Sequence, residues 1–109
     1  MSEQASETPV LDLLAKMTAD SFESTELDPQ TLMLVRIAAL VSVDAPPASY
    51  LMNLGAAGEV GVTDDQVRSV LVAIAPIVGT ARITSAAGKI IRALGLALEL
   101  EELAAEADA

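Results

Sequence analysis

The chain has 109 residues, with 16 acidic and 6 basic side chains, and it contains neither cysteine nor histidine. These two absences exclude thiol nucleophiles, disulfides, thiolate metal sites and imidazole as a general base or metal ligand. The acidic residues are concentrated in residues 1–28 and 99–109, and residues 29–98 hold four acids and five bases. Without a basic stripe to neutralise phosphates, we expect no nucleic-acid partner. No sequence motif for a metal or another cofactor is present, so we expect none.

Apolar residues make up 52% of the chain. A domain of this length buries only a small core, so we expect part of the apolar surface to be covered by other copies in a homo-oligomer. The alternative is a tight, alanine-rich monomeric bundle. Arg36 interrupts the most apolar run, so no segment reaches membrane-spanning length. The acidic N-terminus lacks the features of a secretory signal, and we expect a cytoplasmic protein without a membrane partner.

The periodicity of apolar residues predicts an all-α fold of about five helices. Residues 1–7 form an acidic tail that we expect to be disordered. A first helix begins at Thr8-Pro9 and extends to about Phe22, because threonine is a good N-cap and proline suits the first helical position. Asp28-Pro29 repeats this signal, and the helix that follows, to about Val43, is apolar on nearly all sides. Such a helix is expected to be largely buried.

Three further helices follow. The third extends from about Pro46 to Glu59. Thr63 and Gln66 form a capping box at the start of the fourth, and Pro76 is expected to kink or end it. The last runs from Gly79 to about Ala105, with an apolar stripe that includes Leu96 and Leu98 and a polar face that carries Arg82, Lys89 and Arg92.

The order of three motifs identifies a family resemblance. These motifs are Asp28-Pro29-x-Thr31-x-x-Leu34-Val35-Arg36-Ile37-Ala38, then Leu54-Gly55-Ala56-Ala57-x-x-x-Gly61-Val62-Thr63, then Asp64-x-Gln66-Val67. In this order they resemble the carboxymuconolactone decarboxylase family, which includes the AhpD-like alkylhydroperoxidases. The resemblance implies an AhpD-like helical bundle, a single domain over residues 8–107, and a trimer or hexamer.

The resemblance also shows which chemistry has been lost. The hydroperoxidase branch carries Cys-x-x-Cys-x-x-x-His at the start of the helix after the break, and counting back from Gly61 those positions match Pro46, Ser49 and Asn53. The upstream glutamate of the family matches Met33 or Leu34. The decarboxylase branch keeps a histidine at the Asn53 position and another after the glycine turn, which matches about Ser85.

The candidate pocket therefore contains Pro46, Ser49 and Asn53, with Asp44, Tyr50 and Ser85 nearby. Each polar member also has a structural interpretation. Ser49 would be an exposed or backbone-bonded hydroxyl, Asn53 a satisfied polar group at a helix contact, and Tyr50 a packing residue with its hydroxyl at the surface.

Two functions fit this sequence. The favoured one is a family member that has lost thiol peroxidase activity and acts as an oligomeric small-ligand-binding or structural protein. The alternative is a cofactor-free decarboxylase or lactone-type enzyme acting on a small organic acid, with Ser49, Asn53 and Asp44 as its polar groups. The first is favoured because general acid–base catalysis needs titratable partners within reach. Whether any catalysis remains is left open.

Overall fold

A computed structural model describes the backbone of residues 6–108 and the side chains of residues 6–95. Within these ranges the fold is all-α, as predicted, and no strand is present. The five helices are α1 (Pro9–Ser24), α2 (Pro29–Ser42), α3 (Pro47–Glu59), α4 (Asp64–Val78) and α5 (Thr80–Asp108). The predicted tail over residues 1–7 lies mostly outside the described residues, as do the side chains of Leu96 and Leu98.

Short polar residues fix where the helices begin. The Asp28 carboxylate accepts a hydrogen bond from the Thr31 N–H at 2.9 Å. At the start of α4, the Thr63 hydroxyl accepts from the Gln66 N–H at 3.1 Å, and the Gln66 Oε1 accepts from the Thr63 N–H at 2.9 Å. The predicted capping box is therefore confirmed. Thr8 stands at the N-cap of α1, but its hydroxyl donates to the Asp12 carboxylate at 3.3 Å and accepts no hydrogen bond from a backbone N–H of the helix.

The sequence predicts that Pro76 kinks or ends the fourth helix, and the second of these outcomes is not observed. The helix does not end at Pro76 but continues to Val78. Proline in a helix removes a single backbone hydrogen bond, and the exposed position of Pro76 leaves its ring room. The helix ends instead at Gly79, whose φ of +94° lies in the left-handed region that glycine adopts without a Cβ clash.

The hydrophobic core lies between α2, α3, α4 and α5. Helix α3 packs against α5 and α2, and α2 packs against α4. The largest fully buried side chains are Met33, Ile37, Val41 and Tyr50. Helix α2 is buried along one side only, because Val35 is 51% exposed and Ala39 is also exposed. Its burial on all sides would require another subunit, and that part of the expectation stays a prediction.

Helix α1 lies outside this core and has no buried residue. Two contacts with α2 hold its C-terminal end. The Arg36 guanidinium donates to the Ser21 hydroxyl at 3.0 Å, and it lies 4.7 Å from the centre of the Phe22 ring. In the part of the chain that the structure describes, no helix is long and apolar enough to cross a membrane.

Candidate functional site

The three positions of the lost Cys-x-x-Cys-x-x-x-His pattern lie at the start of α3. Pro46 is the N-cap residue, and its carbonyl accepts from the Ser49 N–H at 3.0 Å. Asn53 lies one turn further, and its Nδ2 donates to the Ser49 carbonyl at 2.8 Å. Both Ser49 and Asn53 are half-buried, and Pro46 is exposed. The Asn53 amide thus satisfies one of its donors within its own helix, a common arrangement for short polar side chains.

Asn53 also lines an open groove between α1, α2 and α3, with a volume of about 520 Å³. The other lining residues are Met17, Thr18, Ser21, Phe22, Met33, Arg36, Ala39, Leu40, Met52 and Ala56. Met33 is one of the two positions that match the family glutamate, and Leu34 is not among the lining residues. One of the two positions that match the family glutamate therefore lines the same groove as Asn53.

Of the six candidate residues, Asn53 alone is among the described lining residues of this groove. A second groove, of about 560 Å³, lies between α3, α5 and the start of α4, with Glu59 and Asp64 as its charged residues. It contains none of the six. We place the candidate site in the groove at Asn53, because that groove holds a matched motif position together with Met33, one of the two positions that match the glutamate.

Asp44 and Ser85 meet at a different place, in the turn between α2 and α3. The Ser85 hydroxyl donates to Asp44 Oδ1 at 2.8 Å, and the Lys89 ammonium donates to the same oxygen at 3.0 Å. Lys89 also donates to the Ala45 carbonyl at 2.8 Å. In addition, Arg82 donates to the Ser42 carbonyl. Together these contacts tie the turn to α5.

The hydrogen bond from Lys89, followed by the one from Ser85, lowers the pKa of the Asp44 carboxyl below its ordinary value. A carboxylate held in this way stays ionised at neutral pH and is a weak proton acceptor. Lys89 was missed as a member of this cluster. The available signal was its spacing of four residues from Ser85, which places both side chains on one face of α5.

Tyr50 belongs to the core and not to a pocket surface. Its side chain is fully buried, and its hydroxyl has no hydrogen-bond partner among the described residues. Burial raises the pKa of the phenol, and the charge of Asp44 raises it further. The interpretation that placed this hydroxyl at the surface is therefore wrong. It failed because a single aromatic residue in a helix gives no sign of which end of its ring meets solvent.

We next consider which side chains at the site could bind a metal ion. Within the described residues, no group of three or more acidic side chains lies close enough to hold one. The groove at Asn53 is lined by apolar side chains, two hydroxyls, one amide and one guanidinium. Such a lining can bind and orient a small molecule, but it holds no group that exchanges a proton near neutral pH.

A comparison with protein families identifies the family to which this chain is similar. The model of the carboxymuconolactone decarboxylase family matches residues 8–92. Searches of curated proteins and of solved structures gave no match. Because the match covers most of the chain, including the matched motif positions in α2 and α3, the chain belongs to the carboxymuconolactone decarboxylase family.

Proposed function

We propose that this member of the carboxymuconolactone decarboxylase family has lost thiol peroxidase activity and acts as an oligomeric protein that binds a small organic ligand. The observation that carries the proposal is the groove at Asn53. Its lining includes Asn53, at the position that matches the family's histidine, and Met33, at one of the two positions that match the family's glutamate. Neither side chain transfers a proton near neutral pH.

The lining indicates the kind of ligand. Most of the surface comes from apolar side chains, including the exposed Met17 and Met52. Methionine side chains are flexible and polarisable, so they adapt to ligands of different shape. The Asn53 amide and the Arg36 guanidinium supply hydrogen bonds at one side. A small, largely apolar molecule with one or two oxygen atoms fits this chemistry.

The alternative, a cofactor-free decarboxylase or lactone-type enzyme, requires a general base near the bound substrate. Asp44 was the candidate, but its lowered pKa and its hydrogen bonds to Lys89 and Ser85 make it a poor one. It is also absent from the groove that Asn53 lines. These observations favour a binding or structural role over catalysis, with a trimer or hexamer in the cytoplasm as the proposed state.

The test is an assay for turnover of an alkyl hydroperoxide with a dithiol as electron donor. The wild-type protein is expected to show no turnover above buffer, because no thiol exists to form a sulfenic acid. The variant Pro46→Cys/Ser49→Cys/Asn53→His is expected to gain measurable turnover, since it restores the family pattern. A matched control is Ala45→Cys/Ala48→Cys/Met52→His, which shifts the pattern by one residue and replaces no large buried side chain.

Dithiol-dependent turnover by the wild-type protein would contradict the loss of peroxidase activity. Equal turnover by the restored and the shifted variants would contradict the register that places Asn53 at the histidine position.

A further inference from the structure

The face of α1 that lines the Asn53 groove continues past the groove. Met17, Thr18, Ser21 and Phe22 line it from the C-terminal half of the helix. Residues three or four positions apart share a helix face, so Val10, Leu11 and Leu14 extend the same face through the N-terminal half. They are 69%, 63% and 50% exposed. The charged residues of α1, which are Asp12, Lys16, Asp20 and Glu23, lie on the opposite side.

An amphipathic helix in this situation is not stable by itself. An isolated helix of 16 residues is marginal in water, and most helical stability in proteins comes from packing of the apolar face. In the described part of the chain, the side chains that fix α1 through hydrogen-bond and cation–π contacts to α2 lie at its C-terminal end, at Ser21 and Phe22. Among the described residues, the N-terminal half of α1 therefore has no partner that covers its apolar face.

The groove beside α1 is an open, mainly apolar surface that the apolar face of a helix can cover. Met17 and Met52 are 57% and 74% exposed, so the groove is open to solvent over much of its length. Grooves rich in methionine accept the apolar face of amphipathic helices, because the side chains repack around the incoming residues. Helix α1 of this protein has one apolar and one charged face, so it is an amphipathic helix of this kind.

The exposed area agrees with an interface between copies. Seven large apolar side chains on α1 and at the groove are 45% or more exposed, namely Val10, Leu11, Leu13, Leu14, Met17, Phe22 and Met52. At roughly 100 Å² each, they present on the order of 700 Å², and a standard interface buries about 800 Å² on each partner. In a hexamer with twofold axes, one reciprocal contact covers both the helix and the groove. In a trimer, the helix of each copy covers the groove of the next copy around the ring.

We propose that the N-terminal half of α1 from a second copy lies across the open side of the Asn53 groove, and that this groove is complete as a binding site only in the assembled protein. The neighbour contributes Val10, Leu11 and Leu14 as a wall opposite Asn53. This inference rests on the proposed oligomeric, ligand-binding function, and it identifies the element that assembles the site.

The first experiment compares Leu14→Glu with Ile77→Glu by sedimentation velocity at micromolar concentration. Ile77 is on α4 and is 88% exposed, so it is a matched control for adding a charge to an exposed apolar position. Leu14→Glu is expected to weaken assembly at least tenfold, and Ile77→Glu is expected to assemble like the wild type. Circular dichroism should show unchanged helicity in both variants, since glutamate is a good helix former.

The second experiment uses the absence of cysteine, which gives each single-cysteine variant one thiol. Leu14→Cys and Met52→Cys proteins of different mass tag are mixed and treated with a short bismaleimide. Cross-links that join one chain of each kind are expected, and Ile77→Cys mixed with Met52→Cys is expected to give none.

The outcomes separate this inference from the proposed function. A wild-type protein that sediments as a monomer contradicts both the oligomeric state and the inference. A wild-type oligomer that Leu14→Glu leaves intact, with no Leu14–Met52 cross-link between chains, overturns the inference alone. If Leu14→Glu loses helicity, the cross-linking result decides.

Discussion

Asp44 links the turn between α2 and α3 to the last helix through one carboxylate oxygen. Its φ of +52° is in the left-handed region, which aspartate tolerates better than most residues other than glycine. Lys89 and Ser85 both donate to that oxygen. The arrangement stabilises the ionised form, and the resulting pH dependence can be measured.

The pKa of Asp44 is lowered in the folded protein, from an ordinary value of 3.8. A carboxyl of this kind contributes stability that is fully present above its unfolded pKa and is lost as the pH falls through the lowered, folded value. We therefore expect Asp44→Asn to lower the melting temperature at neutral pH, because the ion pair with Lys89 is lost. The difference from the wild type should shrink as the pH falls below the ordinary value and through the lowered, folded pKa, where the wild-type carboxylate also becomes neutral.

The control for this measurement is Asp20→Asn, which removes an exposed ion pair with Lys16 on α1. Exposed pairs of this kind contribute little, so the control should melt close to the wild type at neutral pH. If Asp44→Asn melted like the wild type at neutral pH, the cluster would have no stabilising role.

Tyr50 carries a hydroxyl that is buried without a described partner. A buried polar group left unsatisfied costs about 1–3 kcal/mol. Tyr50→Phe keeps the ring and removes the hydroxyl, so we expect the free energy of unfolding to stay the same or to rise by about 1 kcal/mol. Denaturant unfolding measures this change. A decrease of about 1 kcal/mol or more would show that the hydroxyl has a hydrogen-bond partner, such as a bound water.

At the scale of single residues, sequence patterns predicted caps better than contacts. Asp28, Thr63 and Gln66 act on backbone groups within three positions, so their roles follow from spacing alone. The bond between Asp44 and Ser85 joins residues 41 positions apart. It depends on how α5 packs beside the turn, and spacing along the chain does not contain that information.

At the scale of elements, the capping box at α4 gives a direct test of how local signals stabilise the fold. Thr63→Ala removes the side-chain oxygen that accepts from the Gln66 N–H. Loss of such a cap typically costs about 1 kcal/mol of stability. We expect a decrease of that size in urea unfolding, with an unchanged dependence on urea concentration because the same surface is exposed on unfolding.

Thr84→Ala is the matched control, since Thr84 is exposed within α5 and alanine is the better helix former there. It should be neutral or slightly stabilising. Equal destabilisation by both variants would mean that the cap bond does not determine the stability of α4.

The five helices were predictable because proline and cap residues mark their starts and because apolar residues recur at helical spacing. The ends were less predictable. Pro76 is a strong local signal against helix, but the helix continues to Val78, where Gly79 allows the left-handed turn. Periodicity also indicates that α1 has an apolar face, but it does not indicate what covers that face.

At the scale of the whole molecule, the single chain is more extended than a compact domain. Its radius of gyration is 16.2 Å, compared with about 13 Å for a compact domain of 100 residues. The exposed α1 and the exposed apolar residues of α2 agree with this shape. The composition predicted such an excess of apolar surface, and the family resemblance supplied the expectation of a trimer or hexamer.

Native mass spectrometry of the purified protein at micromolar concentration tests the central claim most directly, because it reports both assembly and retained ligand. We predict a species of three or six times 11.2 kDa with additional small-molecule mass. Asn53→Leu has nearly the same size but cannot form a hydrogen bond, so it should keep the helicity and lose the additional mass. A wild-type protein found only at 11.2 kDa, with no bound mass and no response to Asn53→Leu, would contradict the account.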